Sequence, residues 1–373
     1  MNYGHLTTPC YVYDLELLRR TIKAVQESSK FPGFKVHYAV KANYNPVILQ
    51  TISQSGIGAD TVSGGEIVQA INNGFKASDI TFAGVGKTDD ELKTALKYGI
   101  GCFNVESLEE IEVLSEIAQG MHLVAPVAIR VNPNIDAHTH SYITTGLSEN
   151  KFGIDLSMLY EAIRLCRELP GIDLTGLHFH IGSQLTDMQP YVLLCKTINE
   201  IQDRYSDISF RTINVGGGLG IDYNAPSANP IPDFRKYFST FHSHLRLRSY
   251  QELHFELGRS IVGQCGTLIS RVTYVKRGVN KKFIVLDAGM TDLIRPALYQ
   301  AHHKIENLTS ESEVYERYDV VGPVCESSDT FATDITLPIT KRGDIIGIRS
   351  AGAYGESMAN QYNCRRLPGS VFI

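Results

Sequence analysis

Short apolar runs rich in β-branched residues recur through the first two-thirds of the chain, at residues 36–40, 57–60, 80–83, 102–105, 127–131, 174–179, 212–215 and 253–256. Each is the length of a strand buried on both faces. Between them, residues 89–98, 108–118 and 156–169 space their apolar side chains at helical intervals. Eight alternations of this kind predict an α/β fold with a parallel sheet, and their number favours a (β/α)8 TIM-like barrel over an open doubly wound sheet. In a barrel, functional groups stand where strands end, and phosphate is commonly held by the loops after the last two strands.

After about residue 260 the pattern changes to two-residue alternation at 266–275, 282–287, 335–338 and 344–349, bounded by glycine and proline. This predicts a second, mostly antiparallel β-barrel or sandwich domain. Tyr11-Val12-Tyr13 also reads as a strand and is expected to pair with that later sheet. The expected division is residues 1–25 as an N-terminal strand segment, 26–260 as the barrel and 261–373 as the C-terminal β domain.

The 373 residues are 43% hydrophobic and 20% charged, which is ordinary for a globular protein with a sizeable core. A formal net charge of -5 without a long basic run argues against nucleic acid or an anionic membrane as partner, so a small molecule is expected. No stretch has the length of a membrane span, and residues 1–9 lack a secretory pattern; a cytoplasmic protein is expected. Seven cysteines without a C-x-x-C pair imply reduced thiols rather than a disulfide framework. Cys10, Cys102, Cys166, Cys195, Cys265 and Cys364 read as small buried hydrophobes.

Lys41 follows Val36-His37-Tyr38-Ala39-Val40 directly. A lysine handed to a cleft by a strand, among tyrosine, alanine and valine, is expected to be poorly solvated, with a neutral amine able to attack a carbonyl. The competing reading is a lysine that caps the strand and points into water. Gly216-Gly217-Gly218 follows the seventh run and can turn several backbone N–H groups towards one anionic phosphate. It arrives too late in the chain for a dinucleotide fingerprint. His178 and His180 end the sixth run on one side of the strand, ahead of Ser183. They could be metal ligands with Asp60 as a third, as in a barrel hydrolase, or one could stack on a planar cofactor whose phosphate Ser183 contacts. His242, His244, His302 and His303 read as structural or solvated. Glu256 ends the eighth run, just before Gly258 and Arg259; it is either paired with Arg259 or bonded to a heteroaromatic nitrogen, which it would keep protonated as an electron sink.

In order, the segments YAVKAN, GADTVSGGE, TTGLSENKFGI, HFHIGSQ, NVGGGLG, ELGR, DLIRPALY, GPVCESSD and GAYGESMANQYN resemble the pyridoxal-phosphate-dependent decarboxylases that combine an alanine-racemase-like barrel with a C-terminal β domain. The resemblance spans nearly the whole chain. It implies pyridoxal 5'-phosphate as cofactor, with Lys41 as the Schiff-base lysine, His180 stacked on the ring, and Ser183 and Gly216 to Gly218 on the phosphate. Glu256 would partner the pyridine nitrogen, Tyr354 would close over the phosphate, and Asp60, Gly258 and Arg259 would also lie at the cofactor. Arg259, Arg295, Tyr299, Glu326 and Tyr354 are similar to residues that hold the substrate. Cys325 resembles a proton donor that, with Glu326, reaches the site from a second subunit, which implies a homodimer with a shared site.

Within that family the motifs are nearest the branch that converts meso-2,6-diaminopimelate to L-lysine and carbon dioxide. Arg259 and Arg295 suit a second carboxylate better than the distal ammonium of ornithine. Carboxynorspermidine decarboxylation is the nearest alternative. A metal-dependent barrel hydrolase, a non-catalytic carrier of the cofactor and an alanine-racemase-like activity are more distant ones. The tail from Tyr362 to Pro368 departs from the family's pattern.

Overall fold

The structure, a computed structural model, describes residues 3–135 and 151–373; the first seven residues of TTGLSENKFGI therefore lie outside the described residues. The chain opens with β1 (Cys10–Tyr13) and α1 (Leu15–Ser28). It then alternates β2 (Phe34–Ala39), α2 (Pro46–Ser53), β3 (Gly58–Thr61), α3 (Gly64–Asn72), β4 (Ile80–Phe82), α4 (Asp89–Tyr98), β5 (Cys102–Val105) and α5 (Leu108–Gly120). There follow β6 (Ala125–Asn132), the two-residue β7 (Ile154–Asp155), α6 (Leu159–Glu168), β8 (Ile172–His178), α7 (Gln189–Arg204), β9 (Thr212–Asn214), α8 (Phe234–His244) and β10 (Glu252–Leu257).

Strands β2, β3, β4, β5, β6, β8, β9 and β10 pair in that order, all parallel, and β10 pairs back onto β2 to close the barrel. Each of the eight apolar runs lies on one of these strands. The barrel belongs to a compact unit of Ile22–Gly220 and Asp233–Gly258. Its helices start where polar side chains satisfy their first N–H groups: Ser63 accepts from Glu66, Ser107 from Glu110 and Asp233 from Lys236, while Thr88 and Glu91 cap each other reciprocally. Phe238 of α8 meets Phe255 of β10 edge-on at 4.8 Å, so strand alternation sends Phe255 outward and Glu256 inward. The barrel interior departs from the usual branched apolar filling. His37, Asp60, Asn104, His178, Asn214 and Glu256 are all buried.

The second unit comprises Met1–Thr21, Ile221–Pro232 and Arg259–Ile373. It contains α9 (Arg259–Val262), β11 (Gly266–Arg277), β12 (Lys282–Leu286), α10 (Arg295–Tyr299), β13 (Ile305–Asn307), β14 (Tyr315–Val321), β15 (Thr330–Pro338), β16 (Ile345–Ile348) and β17 (Gly369–Phe372). The sheet runs β13-β16-β11-β12-β14-β15, and β1 pairs with β11 and β17. Only β12–β14 and β1–β17 are parallel pairs. The opening strand thus joins the later sheet, and Cys10 and Val12 of β1 pack with Ile269 and Ile345 in a small core. Among the described residues, no helix is long and apolar enough to cross a membrane.

Candidate active site

At the carboxyl end of β2 the chain tightens into a short 3-10 turn, Val40–Ala42, in which Val40 and Ala42 are buried and Lys41 is exposed. The expected desolvated ammonium is therefore corrected. Lys41 stands beyond the strand's last residue, and its two neighbours take the buried positions of the turn. Its charge still reaches the barrel interior, where it draws the Asp60 and Glu66 carboxyls down and helps push the His180 imidazole down. Asp60 is nevertheless held well above the usual carboxylate range, first by burial and then by the negative charge of Glu256. Its Oδ1 makes no hydrogen bond.

Glu256 is surrounded by donors. His178 Nε2 lies 3.0 Å from its Oε2, and Asn214 Nδ2 and Asn104 Nδ2 donate to Oε1 at 2.7 and 3.3 Å. Facing a carboxylate, His178 carries its proton on Nε2. Burial alone would raise the Glu256 carboxyl, but the His178 charge and hydrogen bond, then His180 and Asn214, outweigh it and hold the acid far below its ordinary value. The pairing with Arg259 considered from sequence gives way to this set. His178 is likewise committed to Glu256, and among the described residues no group of three or more histidine, cysteine or acidic side chains gathers as metal ligands would.

Asn214 also ties the acid to the glycine loop, because its Oδ1 accepts from the Gly216 N–H at 2.9 Å. A Cβ on Gly217 would sit 1.9 Å from the Glu256 carbonyl oxygen, one on Gly216 2.5 Å from that of Phe179, and one on Gly218 2.6 Å from that of Gly182. Gly216 and Gly218 also have φ of +66° and +100°, so only glycine serves here. The loop carrying the half-buried Ser183 is stitched to this one by Leu185 N–H to Gly218 O at 2.8 Å and Gly220 N–H to Leu185 O at 2.9 Å. His180 Nδ1 accepts from the Gly217 N–H at 3.3 Å, and burial, followed by the charges of Lys41 and Arg130, keeps the ring neutral. Gly258 packs against the lysine turn: a Cβ there would meet those of Ala42 and Ala39 at 3.0 and 3.1 Å. An ionised acid at depth, a neutral imidazole, a tight glycine loop and a lysine at strand ends of one barrel are the parts that pyridoxal phosphate requires, so the residues fit that group.

In the second unit, Arg259 and Arg295 are both buried and both donate through Nη1 to the Tyr223 oxygen, at 2.6 and 2.9 Å. Tyr354, at φ +56°, lies under the Arg259 guanidinium, whose carbon is 4.9 Å from the ring centre. Tyr299 is half-buried, and its phenol is one of the groups whose field raises Arg259. Arg295 Nη1 also lies 2.8 Å from His303 Nε2, and His303 is 2% exposed. Of the two alternatives read for these histidines, His303 is buried and not solvated, while its neighbour His302 is exposed. Cys325 and Glu326 stand on an exposed turn, where Glu326 accepts from the Tyr362 hydroxyl at 2.8 Å. Cys364 is exposed too, against expectation, because it ends a short 3-10 turn between strands, at φ +56°. Sequence reasoning missed Asn104, Asn214, Tyr223 and His303. Asn214 had a usable signal, since it stands two residues before the triglycine; Tyr223 and His303 had none.

A family model described as "Pyridoxal-dependent decarboxylase, pyridoxal binding domain" matches residues 15–263. The chain is 58% identical over 366 residues to a diaminopimelate decarboxylase of Bacteroides thetaiotaomicron, covering 97% of this chain and 95% of that one. A crystal structure of the Helicobacter pylori diaminopimelate decarboxylase in complex with L-lysine superposes with a TM-score of 0.94 at 40% identity, over 100% of this chain and 93% of that one. The M. jannaschii diaminopimelate decarboxylase gives a TM-score of 0.91 at 34% identity, over 99% and 88% of the two chains.

Proposed function

Because the chain belongs to the pyridoxal-dependent decarboxylases, and among them to the diaminopimelate decarboxylases, we propose that it converts meso-2,6-diaminopimelate to L-lysine and carbon dioxide with pyridoxal 5'-phosphate as cofactor. The observation that carries the chemistry is Glu256: a buried carboxylate kept ionised by His178, Asn214 and Asn104 at the centre of the barrel. Bound there, the cofactor supplies an aldehyde for amino groups and a protonated ring that accepts the electron pair left when carbon dioxide departs.

Each residue then has a physical task. Lys41 is the residue that would hold the cofactor's aldehyde, through its amine. Glu256 would keep the ring nitrogen protonated, and the neutral His180 would stack on the ring without adding charge. Ser183 and Gly216 to Gly218 would take the phosphate, with Tyr354 and Arg259 at its periphery. Asp60 and Gly258 shape the cofactor's surroundings. Arg295, with Arg259 and Tyr299, grips the carboxylate at the unreactive end of the substrate. The carbon that loses its carboxylate takes a proton from Cys325 Sγ or Lys41 Nζ.

Cys325 and Glu326, exposed in the single chain, belong in this reading to the site of a second copy, so the working form is a homodimer. A cytoplasmic setting suits seven unpaired cysteines. The test is carbon dioxide release by purified protein from meso-diaminopimelate, ornithine and carboxynorspermidine in parallel. Turnover of the first alone is expected; preference for either of the others would overturn the substrate.

A further inference from the structure

We propose that His303 is a positioning residue for substrate binding: it anchors Arg295 through an uncharged nitrogen, so the guanidinium is fixed in place yet keeps its positive charge for an anionic group of the substrate. This rests on the reading of Arg295 as a carboxylate grip.

The hydrogen bonds fix the tautomer. His303 Nδ1 lies 2.9 Å from the Arg349 carbonyl oxygen, which can only accept, so Nδ1 carries the proton and Nε2 presents its lone pair. That lone pair meets Arg295 Nη1 at 2.8 Å. The Arg349 backbone is itself fixed next to His303, because its N–H donates to the Lys304 carbonyl at 2.8 Å. Tyr223 packs edge-on to the imidazole, with ring centres 5.1 Å apart, and its oxygen accepts from Arg295 and Arg259. Both named anchors of Arg295 are therefore neutral. Among the described residues, no carboxylate pairs with it.

The choice of anchor has a chemical consequence. An aspartate or glutamate would hold a buried guanidinium as firmly, but it would cancel the charge that an incoming carboxylate must find. A neutral imidazole gives direction without cancelling. Burial and the neighbouring Arg295 charge push His303 down to about 3, which keeps it in the accepting form at ordinary pH.

The test compares His303→Gln, His303→Leu, His303→Glu and Arg295→Ala as cofactor-loaded proteins. The readouts are KM and kcat for meso-diaminopimelate and inhibition by pimelate, a non-reacting dicarboxylate of the same length. Gln keeps an acceptor for the guanidinium and a donor for the carbonyl, so KM should stay within about threefold of the parent. Leu removes the acceptor and Glu cancels the charge, so each should raise KM about tenfold or more, weaken pimelate equally and leave kcat within about threefold. Unchanged KM and pimelate inhibition in both Leu and Glu, while Arg295→Ala raises KM, would overturn the role of His303 alone. Unchanged KM in Arg295→Ala would overturn the reading of Arg295 itself. If His303→Glu fails to fold, the Gln and Leu pair decides: equal KM values contradict the proposal, and a rise confined to Leu supports it.

Discussion

The barrel and the second unit each bury an ion, and they stabilise it differently. In the barrel, Glu256 is met by donors, a histidine N–H and two amides whose dipoles point at it. In the second unit, Arg295 is met by a phenol and an imidazole, acceptors without charge. The difference follows from what each ion is for. In the proposed role, an acid that would hold a proton on a ring nitrogen needs a stable ionised state, and donors from behind provide it. In the proposed role, a guanidinium that would attract a substrate is better left uncompensated until the substrate arrives.

Three changes would break or sharpen this contrast. Glu256→Gln keeps the shape and the amide contacts but cannot hold the ring proton; kcat for meso-diaminopimelate should fall by about 100-fold or more with the cofactor's absorbance retained. An unchanged kcat would remove Glu256 from the chemistry. Arg295→Ala should raise KM about 10- to 100-fold and leave the cofactor band intact, because it removes a charge-assisted contact to the substrate alone. Loss of the band would instead assign Arg295 to the cofactor.

The smallest effect is on acid stability, and its sign follows from the two histidines that burial pushes from 6.5 to about 3, His37 in the barrel and His303 in the second unit. Below pH 6.5 the unfolded chain binds protons that the folded chain refuses until about pH 3, so stability rises with pH across that window and is lost on acidification. His303→Gln should flatten this acid limb by about 3 kcal/mol at pH 4, measured by urea unfolding at pH 7 and pH 4. An unaltered limb would mean that His303 takes up its proton at an ordinary pH.

The barrel was legible because burial on both faces leaves strands as uninterrupted apolar runs, and eight such runs close a ring. Lys41, the triglycine and Glu256 were legible because each stands immediately after or at the end of such a run. The polar support was not. Asn104 and Asn214 sit inside strands and look like ordinary members of them until the barrel closes and turns both amides onto one carboxylate oxygen. His303 follows another histidine in a polar stretch, and only the fold distinguishes the buried ring from the exposed one. Tyr223 lies 36 residues before Arg259 and 72 before Arg295, with no periodicity connecting them. The solvation of Lys41 was misjudged for a local reason: the residue belongs to the turn after the strand rather than to the strand itself.

The most direct measurement is borohydride reduction of the purified, cofactor-loaded protein, followed by mapping of the modified peptide. A single pyridoxyl adduct on Lys41 within the YAVKAN segment, with loss of the visible absorbance band, is the expected result. An adduct on any other lysine, or no adduct in protein that still decarboxylates meso-diaminopimelate, would contradict the assignment of the barrel site.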